Sequence, residues 1–209
     1  MHSNALATVL AMNTVRLAQP TADAAAIAAI YAQSILTPIT FELVAPTPPE
    51  MAARITALGE QLPWLVLERG SVIVGYAYAS PHRDRPAYRW SVDTSVYIDA
   101  AHARSGAGRT LYRVLLTLLR LQGYYVAHAG ITLPNAASVG LHESCGFEPV
   151  GVYRDVGFKL GAFHDVGWWR LGLCPAIGEP TRTRSPAELL ADPAAAASWS
   201  AALELRAEG

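Results

Sequence analysis

The stretch Asp93-Thr94-Ser95-Val96-Tyr97-Ile98, followed at once by Asp99 to His102 and then Ala103-Arg104-Ser105-Gly106-Ala107-Gly108-Arg109-Thr110, decides the fold. Trp90, Val92, Thr94, Val96 and Ile98 alternate with Arg89, Ser91, Asp93, Ser95 and Tyr97, a period of two that predicts a strand over residues 88–98. After the turn, Leu111, Leu115, Leu118 and Leu119 recur at helical spacing, so residues 106–121 are expected to form a helix with one core face. Between the two, Gly106 and Gly108 let the backbone approach a ligand closely. The free N–H groups at the helix start, aided by the helix dipole, suit a phosphate. A glycine pair of this kind also occurs where a turn merely begins a helix.

Working outward gives a chain of alternating elements. Residues 14–18 read as a strand, and Thr21 is placed to cap a helix carrying Ala25, Ile27, Ile30 and Tyr31. Pro38 and Pro46 make residues 36–45 a loop, and Thr47-Pro48-Pro49-Glu50 combines a capping box with first-turn prolines to open a second helix to about residue 58. Residues 64–68 and 72–79 are strands joined at Arg69-Gly70-Ser71, and 80–86 is a polar loop. Downstream of the central helix come a strand at 124–132, a short helix at 135–144 closed by Gly146, and strands at 150–159 and 165–173. The order β, α, α, β, β, β, α, β, α, β, β predicts an α/β domain with a mixed sheet.

Composition narrows the function classes. Apolar residues make up 52% and charged residues 16% of the 209, enough for a full core and too few charges for a disordered chain. A formal net charge of −1 argues against a nucleic-acid footprint. Cys145 and Cys174 form neither a metal-spaced cluster nor a disulfide framework, so no metal and a reducing, cytoplasmic setting are expected. No apolar run approaches the roughly 20 residues of a membrane span. Residues 1–12 read as a leader without the basic segment of a secretory signal, with Met12 as an alternative start. Residues 13–174 read as the domain. Residues 175–209 read as a C-terminal appendage, with a docking helix over 194–206 that places Trp199 and Leu203 on one face.

Several motifs together carry a resemblance: Thr94-Ser95-Val96-Tyr97-Ile98, the glycine turn, Gly130-Ile131-Thr132-Leu133-Pro134-Asn135, Ser138-Val139-Gly140-Leu141-His142-Glu143, Val156-Gly157-Phe158-Lys159 and Phe163-His164-Asp165-Val166-Gly167-Trp168-Trp169. The chain resembles the phosphinothricin acetyltransferase family of the GNAT N-acetyltransferase superfamily over about residues 15–173. The resemblance implies the GNAT acyl-CoA N-acyltransferase fold, a mixed twisted sheet flanked by helices whose central strands splay at the acetyl-CoA site. It implies that Arg104, Ser105, Gly106, Ala107, Gly108, Arg109 and Thr110 hold the CoA pyrophosphate, and that the backbone of Val96, Tyr97 and Ile98 binds the pantetheine arm with help from Asn135 and Ser138. It implies a small amine substrate and a homodimer; Val166, Trp168 and Trp169 on an apolar last strand suit packing in the core or between copies. Departures from the pattern are Ala103 at the start of the turn, Leu160 within Lys159-Leu160-Gly161, and Asp93 where the family has a glutamate.

The chemistry follows from the reactants. A protonated amine must lose a proton before it attacks the acetyl carbonyl, the carbonyl oxygen needs a donor, and the leaving sulfur must gain a proton. The resemblance places the base at Asp93, acting through water because Asp is one methylene shorter than Glu. It places a histidine at His142, whose imidazole titrates near neutrality and suits a base or a donor to sulfur. Arg85 corresponds to the arginine that pairs with the acidic group of phosphinothricin, a geometry natural to a guanidinium fork. Phe41 and Tyr88 are expected to wall the same pocket. Two other readings stand beside small-amine acetylation: acetylation of another amine or a protein N-terminus, and a non-catalytic acyl-CoA sensor.

Overall fold

The computed structural model describes residues 13–204. Its order is β1 (Asn13–Leu17), α1 (Pro20–Ala32), α2 (Pro48–Gly59), β2 (Trp64–Arg69), β3 (Val72–Pro81), β4 (Ser91–Ile98), α3 (Ala107–Gln122), β5 (Val126–Leu133), α4 (Ala136–Ser144), β6 (Glu148–Lys159), β7 (Ala162–Gly172), α5 (Pro186–Leu190) and α6 (Pro193–Leu203). The strands form one seven-stranded sheet in the order β1-β2-β3-β4-β5-β7-β6. All neighbouring pairs are antiparallel except β4 with β5.

The helices divide between the two faces. One core packs Leu111, Leu115, Leu118 and Leu119 of α3 against Val92, Ala127 and Ile131 of the sheet. The other sets Ile27 and Tyr31 of α1 and Met51 and Ile55 of α2 against Trp64, Val66 and Tyr76. The leucine stripe of α3 is therefore fully used, and burying each such side chain stabilises the fold by about 1.5–3 kcal/mol.

Local chemistry accounts for the element ends. Thr47 and Glu50 form the expected reciprocal cap on α2. Thr21 does not cap α1. Pro20 takes the first helical position, Gln19 is the N-cap, and the Asp23 carboxylate accepts from the Gln19 N–H at 2.6 Å. β4 starts at Ser91 and not at Tyr88, because Pro86 opens a short 3₁₀ turn over Pro86–Tyr88 in which the Tyr88 N–H donates to the Arg85 carbonyl. The last two strands are longer than the sequence pattern indicates and meet at Leu160 and Gly161, both with positive φ.

Beyond β7, α5 carries a Ser185–Glu188 capping box that the sequence reading did not single out, and α6 begins one residue before the helix expected over 194–206, whose last two residues lie outside those described. Leu189, Trp199 and Ala202 sit in the α3-side core. The proposed leader, residues 1–12, and residues 205–209 lie outside the described residues.

Candidate active site

The sheet opens at its centre. β4 and β5 pair in parallel only at Ser91–Val126, Val92–Ala127 and Asp93–His128. The Thr94 hydroxyl donates to the His128 carbonyl at 3.1 Å, and beyond that point the strands part. β4 keeps its ladder to β3 through Gly75–Ile98, so the backbone of residues 95–98 faces the gap on its other side. Thr94, Ser95, Val96 and Tyr97 line that gap opposite Gly130, Ile131 and Thr132, with Tyr112, Asn135, Ser138 and His142 closing it. An exposed strand edge of this kind accepts the amides of an extended ligand as an added strand would.

At the end of the gap, the turn before α3 is built for an anion. Gly106 is the N-cap at φ 80° and Arg104 has φ 55°. Gly106 offers no side-chain cap, so the first amides of α3 point outward without one. Ser105, Gly106 and Arg109 are exposed, whereas Ala107, Gly108 and Thr110 are buried. Thr110 turns its hydroxyl back to the Gly106 carbonyl at 3.1 Å. A backbone nest of this shape, at the positive end of a helix, fits a pyrophosphate. On α4, the Asn135 side-chain oxygen caps the Ser138 N–H at 3.1 Å, which leaves the amide nitrogen for a ligand.

His142 is buried among Tyr112 and Phe147, with ring centroids 5.0 and 5.2 Å away. Its Nδ1 lies 2.7 Å from the Ser138 carbonyl oxygen, which can only accept, so Nδ1 carries the proton. Its Nε2 is then a lone pair, and the Tyr112 hydroxyl donates to it at 2.7 Å. Burial lowers the His142 pKa, only partly offset by the Ser138 bond, so the ring is held neutral. Burial likewise raises the Tyr112 hydroxyl well above its usual value, opposed by the nearby Thr94 hydroxyl. His142 is thus the inner half of a Tyr112–His142 pair.

Asp93 faces the other way. Along β4, Val92, Val96 and Ile98 belong with the α3-side core, while Tyr97 packs with the α1–α2 side. Asp93 shares the latter face, and its carboxylate lies 2.6 Å from Nδ1 of His82. Burial raises the Asp93 pKa, opposed by the His82 hydrogen bond and by the positive charge of Arg83. Asp93 and His142 therefore occupy opposite faces and meet only through the gap.

The substrate-side residues separate. Tyr88 packs edge-on to His82, with centroids 6.0 Å apart. Phe41 reaches across β6 at Gly157 and lies 6.3 Å from the His164 ring, so it borders the same face from the far side. Arg85 is exposed on the β3–β4 loop. The guanidinium that turns toward the site is Arg83, stacked over the Trp168 ring at 5.7 Å. Trp168 lies against Gly130, where a Cβ would come within 3.3 Å of its ring, and its buried Nε1 has no partner among the described residues. His164 and Asp165 act as hairpin fasteners, Asp165 accepting from Arg154 at 2.6 Å and from the Asp155 N–H at 2.9 Å.

Four residues of this cluster, Tyr112, His82, His128 and Arg83, escape a reading of sequence motifs. Tyr112 falls beside the leucine stripe and reads as helix filler. His82, in a polar loop, meets Asp93 only because β3 pairs with β4 at Ser80–Asp93.

Comparison with known proteins agrees with this geometry. A model of the acetyltransferase (GNAT) domain matches residues 16–168. The chain is 40% identical to a phosphinothricin N-acetyltransferase of Streptomyces viridochromogenes, over 77% of this chain and 89% of the relative. It is 44% identical to a phosphinothricin N-acetyltransferase of Alcaligenes faecalis, over 69% of this chain and 75% of that one. A phosphinothricin acetyltransferase from Sinorhizobium meliloti, solved in complex with acetyl-CoA, superposes with a TM-score of 0.77 at 34% identity, covering 83% of this chain and 96% of the other. The split strand pair, the uncapped turn before α3 and the domain match together establish that this chain belongs to the GNAT family of acetyltransferases.

Proposed function

We propose that this protein transfers the acetyl group of acetyl-CoA to the amino group of a small amino-acid-like acceptor, of the phosphinothricin, methionine sulfoximine or methionine sulfone type. The observation that carries the reading is the gap between β4 and β5, which reaches both faces of the sheet and has a proton-handling group on each. Acetyl-CoA supplies an activated acyl group as a thioester.

On the α3 face, the amides of residues 104–109 hold the pyrophosphate, with Arg109 adding charge, while Thr110, expected to join them, gives both its N–H and its hydroxyl to the Gly106 carbonyl. The β4 edge at Val96, Tyr97 and Ile98, with Asn135 and Ser138, positions the pantetheine arm. An N–H of the Val96–Tyr97 segment facing the gap donates to the acyl oxygen as charge develops there. The Tyr112–His142 pair supplies the proton taken up by sulfur. On the α1–α2 face, the Asp93 carboxylate supports deprotonation of the amine, and Phe41 and Tyr88 wall the acceptor. Arg83 and Arg85 offer guanidinium groups to its acidic end.

The exposed side chains of the β6–β7 hairpin support a homodimer: Val150, Phe158, Leu160 and Phe163 are 59–65% exposed on one hairpin. Trp169 is buried in the core and contributes nothing to such a face. Among the described residues no helix is long and apolar enough to cross a membrane. Two free cysteines suit the reducing cytoplasm, where we place the protein. The test is thiol release from acetyl-CoA across a panel of amino acids, their sulfone, sulfoximine and phosphinate analogues, and a short peptide. Selective turnover of the analogues supports the reading; selective turnover of the peptide overturns it.

A further inference from the structure

The Asp93 carboxylate is already engaged. Its bond to His82 Nδ1 is 2.6 Å long, and a carboxylate accepts, so Nδ1 carries the proton in the neutral ring. Nε2, on the far side of the ring, is then the lone pair, and it has no hydrogen-bond partner among the described residues. The ring is held on every side. It stacks on His128 of β5 at 4.3 Å and 21°, and meets Trp168 of β7 edge-on at 6.0 Å. Tyr88 from the 3₁₀ turn closes the remaining side. The His82 side chain is 14% exposed and that of Asp93 26% exposed, so the pair borders solvent without being immersed in it.

From these contacts we infer that His82 is the group that receives the proton of the acceptor amine, and that Asp93 is its positioning residue. The inference rests on the acetyl-transfer reading above and names the base within it. A carboxylate that holds an imidazole by Nδ1, fixes its tautomer and balances the charge it gains is a recurring arrangement for proton abstraction. It also explains how an aspartate serves here: the ring extends the reach of the shorter side chain. The ammonium form of the acceptor gives one proton to His82 Nε2, which passes it to water. The amine nitrogen then bonds to the acyl carbon, the C–S bond breaks with its electron pair on sulfur, and the second nitrogen proton is balanced by the one that sulfur takes up.

The groups that face His82 fit this role. Asp93 of β4 is the anion in contact with it. His128 of β5 is kept neutral, its pKa lowered to about 4 by burial first, then by His82, Arg170 of β7 and Arg83. A neutral partner in the stack adds no repulsion when His82 gains charge. Tyr78 of β3 lies near Asp93 and is held protonated by burial. Arg83, over Trp168, is the one guanidinium of the β3–β4 loop seen to stack beside the dyad, and it is available to orient an acidic acceptor group.

The test compares pH–rate profiles of the wild type, His82→Gln and Asp93→Asn at saturating acetyl-CoA and amine. We expect kcat to fall by about 10²–10⁴-fold in His82→Gln, with the acidic limb lost and acetyl-CoA affinity by calorimetry unchanged. Asp93→Asn should keep an acidic limb at reduced kcat, because the imidazole remains while the carboxylate that fixes its tautomer is gone. Should the glutamine variant fail to melt cooperatively, imidazole added to His82→Ala supplies the second readout: a rate that rises with imidazole supports the role, and no rescue in a folded protein overturns it. A His82→Gln enzyme with wild-type kcat and an intact limb, beside an Asp93→Asn enzyme that lacks the limb, makes Asp93 the direct base and overturns the inference while leaving the transfer reading in place. A wild type that acetylates no amine overturns both.

Discussion

Removing the Tyr112 hydroxyl tests the sulfur-side pair. In Tyr112→Phe, His142 Nε2 loses its donor while the ring remains 4% exposed, out of reach of bulk water. An orphaned buried acceptor costs about 1–3 kcal/mol. At roughly 2–4 °C per kcal/mol for a chain of this size, a cost of about 2 kcal/mol lowers Tm by about 4–8 °C. His142→Phe orphans the hydroxyl instead, at a smaller cost, because the freed Tyr112 hydroxyl can turn to donate to the neighbouring Thr94 oxygen. The double variant replaces both partners by apolar rings, in a cluster that already contains Phe147. Its loss should therefore be smaller than the sum of the two single losses by about 1 kcal/mol or more. The same variants read the chemistry: each single change should lower kcat by about 10²-fold or more, and the double change should be no worse, since both remove one proton path. Calorimetric melting and saturated turnover measure the two cycles. Strictly additive melting losses would show that the hydrogen bond contributes no coupling. A Tyr112→Phe enzyme with undiminished kcat would take Tyr112 out of the proton path.

Three further outcomes follow from other parts of the molecule. Gly106→Glu places a charge at the N-terminus of α3, where φ is 80° and a Cβ meets nothing within 4 Å; calorimetry should show acetyl-CoA binding lost from a protein that still folds, and retained affinity would remove the pyrophosphate assignment. Trp199 is 1% exposed with an unpartnered Nε1, so Trp199→Ala should cost about 3–5 kcal/mol in thermal unfolding, whereas Trp199→Phe should cost much less because it also removes the orphaned N–H; equal losses would contradict the packing described. For His128, the folded value of about 4 lies below the ordinary 6.5, so the unfolded chain binds more protons between them. Stability from this group is full above pH 6.5 and falls as pH drops toward 4; after screening on the ring's open side the effect is on the order of 1 kcal/mol, and His128→Asn should flatten that part of the melting profile.

What the sequence discloses is what short-range chemistry controls. The strand pattern across residues 91–98, the glycine turn and the leucine stripe of α3 are periodic or steric signals, and they appear as read. So does the Thr47–Glu50 cap, because both partners lie within one turn. The errors are also physical. Trp90 continues an alternating pattern, but Pro86 has already committed residues 86–88 to a 3₁₀ turn. Thr21 has the right side chain for a cap, but Pro20 moves the cap and the helix start two residues earlier. The site divides in the same way. Asp93, His142 and the turn residues carry motif signals. His82 and Tyr112 do not, because their partners are fixed by the β3–β4 register and by the packing of α3 on α4. Arg83 and Arg85 differ by two positions in one loop, and only the position of Trp168 tells them apart.

The central claim is transfer of an acetyl group to a small amine, and its most direct measurement is mass analysis of the products alongside thiol release. With phosphinothricin, methionine sulfoximine or methionine sulfone as acceptor, we expect one N-acetylated product per CoA thiol released, at a rate that saturates in both substrates. A protein that binds acetyl-CoA yet forms no acetylated amine from any member of the panel, with thiol release no faster than hydrolysis, would contradict the account.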